Sequence, residues 1–249
     1  MITKKLFQLL DENRAAPREI RAEASADAVS IYLSGVISAD WGIGLAQLVA
    51  AWPADPSAPV NLYINSPGGD VFEARAMSAV IARHVGPVTS IIDGVAASAA
   101  TYLALAGRTV RMSQGSMLMI HNSWALAMGD KAEMAKTAAL LDKIDTTIAA
   151  DYLRKTGATA EQVTAWMDSE TWFTADEALA EKFIDAIDAN TQASASAQWN
   201  LSAYDNAPKP DTKPEPAIDD LIAAQVQRLS NRLRLLDNRF SAPPHRTAA

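Results

Sequence analysis

Val60-Asn61-Leu62-Tyr63-Ile64-Asn65-Ser66-Pro67-Gly68-Gly69-Asp70 is the stretch that sets the architecture. Val60, Leu62 and Ile64 alternate with a period of two, as in a strand with one buried face. Pro-Gly-Gly breaks the run. Phe72, Ala76, Met77, Val80 and Ile81 then recur at helical spacing, with Asp70 placed to cap the first turn and Gly86-Pro87 as the stop. A strand passing through a tight turn into a helix is the unit of a parallel α/β sheet. The unit recurs in both directions. Upstream, Val29-Ile31-Leu33 reads as a strand and Trp41 to Trp52 as a helix presenting Leu45, Leu48 and Val49. Downstream, Val88 to Ile92 reads as a buried strand, Ala99 to Ala106 as a helix ended by Gly107, and Val110-Met112 and Met117-Met119 as short strands. Asp130 to Lys155 is a long helix with Met134, Leu141, Ile144, Ile148 and Tyr152 on one face and Gly157 as its stop. Thr159-Ala160-Glu161-Gln162 and Thr174-Ala175-Asp176-Glu177 read as capping boxes that open further helices. The expected fold class is α/β with parallel strands.

Composition narrows the chemistry. The 249 residues include no cysteine, which excludes disulfides, thiol catalysis and zinc held by Cys. Three histidines (His84, His121, His245) argue against a multi-histidine metal cluster, so no metal site is expected. A net charge of −7 leaves no basic surplus for nucleic acid. Catalysis must then use hydroxyls, carboxylates, lysines or very few histidines. The apolar stretch after Lys4-Lys5 ends at Asp11-Glu12, too short for a signal core. Val95 to Ala106, the longest weakly polar run, is well short of the roughly twenty residues a bilayer span needs. The expectation is a cytoplasmic protein without a membrane partner.

Along the chain, the expected organisation is an N-terminal segment at 1–24, the α/β domain at 25–190 and a Pro/Ser/Ala-rich linker at 191–216. A heptad-patterned amphipathic helix follows at 217–240, then a disordered tail at 241–249. Ile222, Val226, Leu229, Leu233, Leu236 and Phe240 step by 4, 3, 4, 3 and 4, the seam of a helix that docks on a partner or on the domain.

Four places carry candidate chemistry. Ser98, in Asp93-Gly94-Val95-Ala96-Ala97-Ser98-Ala99-Ala100, lies between a strand pattern and a helix pattern, where a turn exposes a hydroxyl. Its competing reading is a plain Ser N-cap. Asn65 to Asp70 supplies glycines and unpaired N–H groups at a helix start, the material of an oxyanion hole or simply of a β–α turn. His121 ends the apolar run Met117-Leu118-Met119-Ile120, so a rigid element aims an imidazole suited to act as base for a hydroxyl. Asp168-Ser169-Glu170, before Thr171-Trp172-Phe173, offers two carboxylates, and spacing does not separate Asp168 from Glu170.

Taken together, Tyr63-Ile64-Asn65-Ser66-Pro67-Gly68-Gly69, Gly94-Val95-Ala96-Ala97-Ser98-Ala99, Met119-Ile120-His121 and Phe173-Thr174-Ala175-Asp176-Glu177-Ala178 resemble the ClpP peptidase family, within the ClpP/crotonase fold of repeated β-β-α units. The resemblance runs from about residue 27 to 188 and includes the long helix from Asp130, which looks like the family's inter-ring handle. It implies Ser98 as nucleophile, His121 as general base, and Gly69 and Ala99 as oxyanion-hole donors. Glu170 falls where the family usually has the catalytic Asp, with Asp168 as the alternative acid. It also implies a homo-oligomeric ring, a polypeptide substrate and no cofactor. Met1–Ala24 does not match the family's axial loop, which argues against a Clp unfoldase partner. The extra terminal segments resemble those of phage head-maturation (prohead) proteases, implying a capsid or scaffold substrate in a host cytoplasm. The alternatives are an inactive ClpP-like ring or scaffold protein and a crotonase-type acyl-CoA enzyme.

Overall fold

The computed structural model describes residues 8–9, 11–13, 15–16, 18–192 and 199–208. The heptad segment and tail expected at 217–240 and 241–249 lie outside the described residues, as does the linker except for residues 191–192 and 199–208.

Strands β1 (Glu19–Ala24), β2 (Val29–Ser34), β3 (Val60–Ser66), β4 (Val88–Ala97), β5 (Thr109–Gln114) and β8 (Ala186–Gln192) form one sheet in the order β1-β2-β3-β4-β5-β8. β6 (Met117–Ile120) branches off β4 and carries β7 (Thr171–Thr174). β2 to β5, β8 and the β4–β6 pair run parallel, while β1 on β2 and β7 on β6 are antiparallel. The expected α/β class with mostly parallel strands is thus observed.

β4 positions the site because it serves two neighbours. Thr89 to Ile92 pair with β5, and Val95 to Ala97 pair with β6. The strand therefore runs five residues past the expected end at Ile92, carried by the small, fully buried Val95-Ala96-Ala97. Small side chains let β6 and the following helix approach closely.

Helices α1 (Leu45–Ala51), α2 (Val71–Arg83), α3 (Ala99–Ala104), α4 (Lys131–Thr156), α5 (Ala160–Asp168) and α6 (Ala175–Ala180) pack on the sheet or extend from it. α1 starts at Leu45 rather than near Trp41, because Ile37 and Ile43 are held in backbone pairing and Gly44 takes the cap position. Asp70 caps α2 by accepting from the amides of Phe72 and Glu73. The buried face of α2 is Ala74, Met77, Ser78 and Ile81, while Phe72, expected inside, is exposed. Thr174 and Glu177 form the reciprocal capping box, but Thr159 makes only the forward bond to the Gln162 amide. His84 is structural: its ring accepts from the Trp52 indole at 3.1 Å and meets the Ala58 carbonyl at 2.7 Å.

α4 is capped at both ends, by an Asp130–Glu133 box and by Gly157 in the left-handed region. Its buried residues begin at Ile144, and the N-terminal half leaves Leu140 half exposed. No helix among the described residues is long and apolar enough to cross a membrane.

The main core joins Ile31, Leu62, Ile64, Met77, Ile92 and Leu103 across sheet and helices. Leu62→Ala should therefore cost about 2–5 kcal/mol, because the surrounding β2, β3 and β4 side chains cannot collapse into the gap. Urea unfolding of the purified variant measures this as a fall in midpoint at unchanged slope.

Two boundaries differ from expectation. β1 pairs along its whole length with β2, so the domain begins before residue 25. Glu19-Ile20-Arg21-Ala22-Glu23-Ala24 does alternate, but its apolar positions are mostly alanine and the signal is weak. The linker reading also fails for residues 199–208. Trp199, Ala203 and Tyr204 are buried with Leu9, Val95, Ala97 and Met119 in a second apolar cluster. Two aromatics supply the buried area that a Ser/Ala/Pro-rich composition hides.

Candidate active site

Ser98 occupies the turn from β4 into α3 with φ of 55°, a left-handed conformation unusual for a residue with a Cβ. Such a position costs on the order of 1–3 kcal/mol and persists only where neighbours over-determine it. Here they do. The Ser98 amide donates to the Met119 carbonyl at 2.9 Å, and the Thr101 hydroxyl bonds the carbonyls of both Ala96 and Met119.

Parallel register then sets the partner. Ala97 lies opposite Met119, so the residues just past the two strand ends, Ser98 and His121, come together. His121 Nε2 is 2.7 Å from Ser98 Oγ. Ser98 stands at the N-cap of α3 but makes no side-chain capping bond, so the capping reading of its hydroxyl is replaced by the imidazole contact.

The Pro-Gly-Gly turn packs directly on this junction. A Cβ on Gly68, at φ of 94°, would lie 2.5 Å from the Ala97 carbonyl oxygen and 2.9 Å from Ser98 Cβ. A Cβ on Gly69, at φ of 146°, would collide with the Ile37 backbone. The Ile37 bridge uses the Gly68 carbonyl and the Asp70 amide, each at 2.8 Å. It does not use the Gly69 amide. Gly69 and Ala99 both line a cleft of about 430 Å³ that also opens onto Ser98 and His121. Its far wall comes from α4 (Leu141, Ile144 and Ile148), which makes it largely apolar.

The two candidate acids have separate partners. Asp168 accepts from the Asn122 amide nitrogen at 2.7 Å. Glu170, at φ of 46°, sits next to Thr171, which pairs with Ile120, so strand register puts it beside the end of β6 that bears His121. Its carboxylate accepts from the backbone amides of Asp205 (3.1 Å) and Asn206 (2.7 Å) and from the Trp172 indole (3.4 Å). Asn122 and the aromatic surround of His121 were not legible in the sequence. The Trp124 and Tyr204 rings stand edge-on to the imidazole, with centroids at 6.1 and 5.5 Å. Burial pushes the Tyr204 phenol above its ordinary range, and the nearby Ser98 hydroxyl offsets part of that shift.

A hydroxyl bonded to an imidazole, with two backbone amides at the same cleft, is a constellation able to run acyl transfer. The family model for Clp protease matches residues 26–191. An ATP-dependent Clp protease proteolytic subunit of Bacteroides fragilis is 33% identical over 147 residues, covering 57% of this chain and 70% of that protein. The corresponding subunit 2 of Rhodococcus jostii is 32% identical over 144 residues, covering 57% and 74%. That of Streptococcus gordonii is 31% identical over 162 residues, covering 60% and 79%. The strand-end geometry at Ser98 and His121 and the match across most of the α/β domain lead to one conclusion: this chain belongs to the Clp protease family and is a ClpP-like peptidase.

Proposed function

We propose that the protein is a serine endopeptidase in which Ser98 attacks the peptide carbonyl and His121 takes its proton. The observation that carries this reading is the 2.7 Å bond between Ser98 Oγ and His121 Nε2. In the first half-reaction the Ser98 oxygen bonds to the carbonyl carbon, the peptide C–N bond breaks, and the proton passes through His121 to the leaving amine. Water, deprotonated by His121, then hydrolyses the acyl-enzyme. The amides of Gly69 and Ala99 receive the developing oxyanion. Glu170, beside the strand end that bears His121, supplies the negative charge that favours the imidazolium, and Asp168, which accepts from Asn122 next to His121 in the chain, is the alternative acid. This chemistry requires no metal or organic cofactor.

The cleft suits an extended polypeptide, with apolar pocket walls and backbone donors at its base. The N-terminal half of α4, exposed over most of its length before Ile144, supports assembly into a homo-oligomeric ring. The sequence beyond residue 208, with its heptad spacing outside the family match, supports a capsid or scaffold protein as substrate, and Met1–Ala24, which does not match the family's axial loop, favours cleavage that is ATP-independent or assisted by a partner other than a Clp unfoldase. Removing residues 209–249 should then leave turnover of a small peptide intact and weaken cleavage of the assembly substrate.

Intact-mass spectrometry after treatment with a fluorophosphonate probe tests the central reading. One adduct on the wild type, absent from Ser98→Ala and His121→Ala, is expected. An unmodified wild type that is folded and assembled would overturn it in favour of an inactive ring protein.

A further inference from the structure

Residues 199–208 lie outside the stretch matched to the family, yet they contact the Pro-Gly-Gly turn, His121 and Glu170. The Trp199 indole donates to Asn65 Oδ1 at 2.9 Å, and the same oxygen accepts from the Val95 amide at 3.2 Å. This ties the segment to the ends of β3 and β4, immediately before the Pro-Gly-Gly turn. The Tyr204 hydroxyl donates to the Pro67 carbonyl, within that turn. The Tyr204 ring stands perpendicular to His121, with Trp124 and Trp172 packed against it. Glu170 accepts the next two amides, and Asn206 Nδ2 donates back to the Ser169 carbonyl at 2.7 Å.

The far end is anchored as well. Asn13 Nδ2 donates to the Asn200 carbonyl at 2.9 Å, and the Asn200 amide donates to Asn13 Oδ1 at 2.8 Å. Ser202 bonds Glu12 and Gln8. None of residues 199–208 lines the substrate cleft, whose walls are drawn from α2, α4 and residues 123–126. The segment therefore packs beside His121 and leaves the cleft free.

From this geometry we infer that residues 199–208 are a clamp belonging to the active site, and that Tyr204 is a positioning residue: its ring fixes the His121 imidazole and its hydroxyl fixes the Pro67-Gly68-Gly69 turn that presents the oxyanion donor. The inference rests on the peptidase reading for its catalytic part and on the contacts alone for its positioning part. Buried, hydrogen-bonded and packed against Trp124 and Trp172, the phenol gives the turn and the imidazole a shared support. Glu170, by holding the Asp205 and Asn206 amides, couples the acid position to the same clamp.

The test uses the full chain and two variants, Tyr204→Phe and Tyr204→Leu. Two readouts are taken: the rate of fluorophosphonate labelling at Ser98, and hydrogen exchange in peptides spanning residues 65–72. Peptides from β2 and α4 report whether the fold is intact. Loss of the hydroxyl alone in Tyr204→Phe should slow labelling about tenfold, the scale of one buried hydrogen bond. Loss of the ring in Tyr204→Leu should slow it about a hundredfold. Both variants should exchange faster at 65–72, with β2 and α4 unchanged. Labelling within twofold of wild type in both variants, with unchanged exchange at 65–72, overturns the clamp. So does faster labelling, which marks the segment as an obstructing lid. If the wild type is not labelled, the peptidase reading falls, and exchange alone decides: faster exchange at 65–72 supports the clamp and unchanged exchange removes it.

Discussion

Ser98→Ala and His121→Ala should each reduce peptide hydrolysis by about 10⁴-fold or more, and the double variant should be no slower than either single one. The reason is the shared proton. A serine hydroxyl is a poor nucleophile unless a base accepts its proton as the bond forms, so removing either member removes the same step. The 2.7 Å contact gives the base its reach without rearrangement. Neither substitution should unfold the protein. Ser98 makes no side-chain capping bond, and Ala at 98 keeps the amide that donates to Met119. Single-turnover hydrolysis of a fluorogenic peptide, with circular dichroism as the folding control, measures both effects. Additive losses in the double variant would show that the two residues act independently, contrary to the proposed mechanism.

Gly69→Ala should be the most damaging substitution that leaves every catalytic side chain in place. At φ of 146° an alanine is strained whatever space surrounds it, and its Cβ would strike the Ile37 backbone. Either the Ile37 bridge opens or the turn retreats from Ser98, and both displace the amide assigned to the oxyanion. Side-chain oxyanion donors removed elsewhere cost about 10²–10³ in rate, and a displaced loop should cost at least that. The thermal midpoint should fall as well, because Ile37 is a fully buried core residue. The rate loss should appear in kcat more than in KM, since the donor strengthens in the transition state. A variant with wild-type kcat would remove Gly69 from the mechanism. Gly68→Ala meets the Ala97 carbonyl and Ser98 Cβ instead, so it should disturb the nucleophile turn itself.

Most of the architecture was legible because its signals are local. Period-two alternation at Val60-Leu62-Ile64, the Asp70 cap and the Gly157 stop are short-range patterns, and each appears where the residues place it. Expectation and structure part where a tertiary neighbour overrides local preference. β4 continues past Ile92 because β6 offers a second partner, and α1 starts late because Ile37 and Ile43 are drawn into pairing. β7 was missed because its four residues depend on β6 for their hydrogen bonds.

Sequence by itself determined the α/β class and the exclusion of thiol chemistry, and it offered the hydroxyl, the imidazole and the glycine turn as candidates. Each is a matter of residue type or spacing along one stretch of chain. Only the tertiary structure decided that Ser98 bonds His121 instead of capping a helix, because strand register is a relation between distant segments. It also decided the placement of the two carboxylates, since Glu170 finds its amide partners more than thirty residues later. The recruitment of Trp199 and Tyr204 from a stretch of linker composition was settled the same way. Two aromatic rings in a polar stretch take on meaning only when Leu9, Val95, Ala97 and Met119 offer them an apolar surface to pack on.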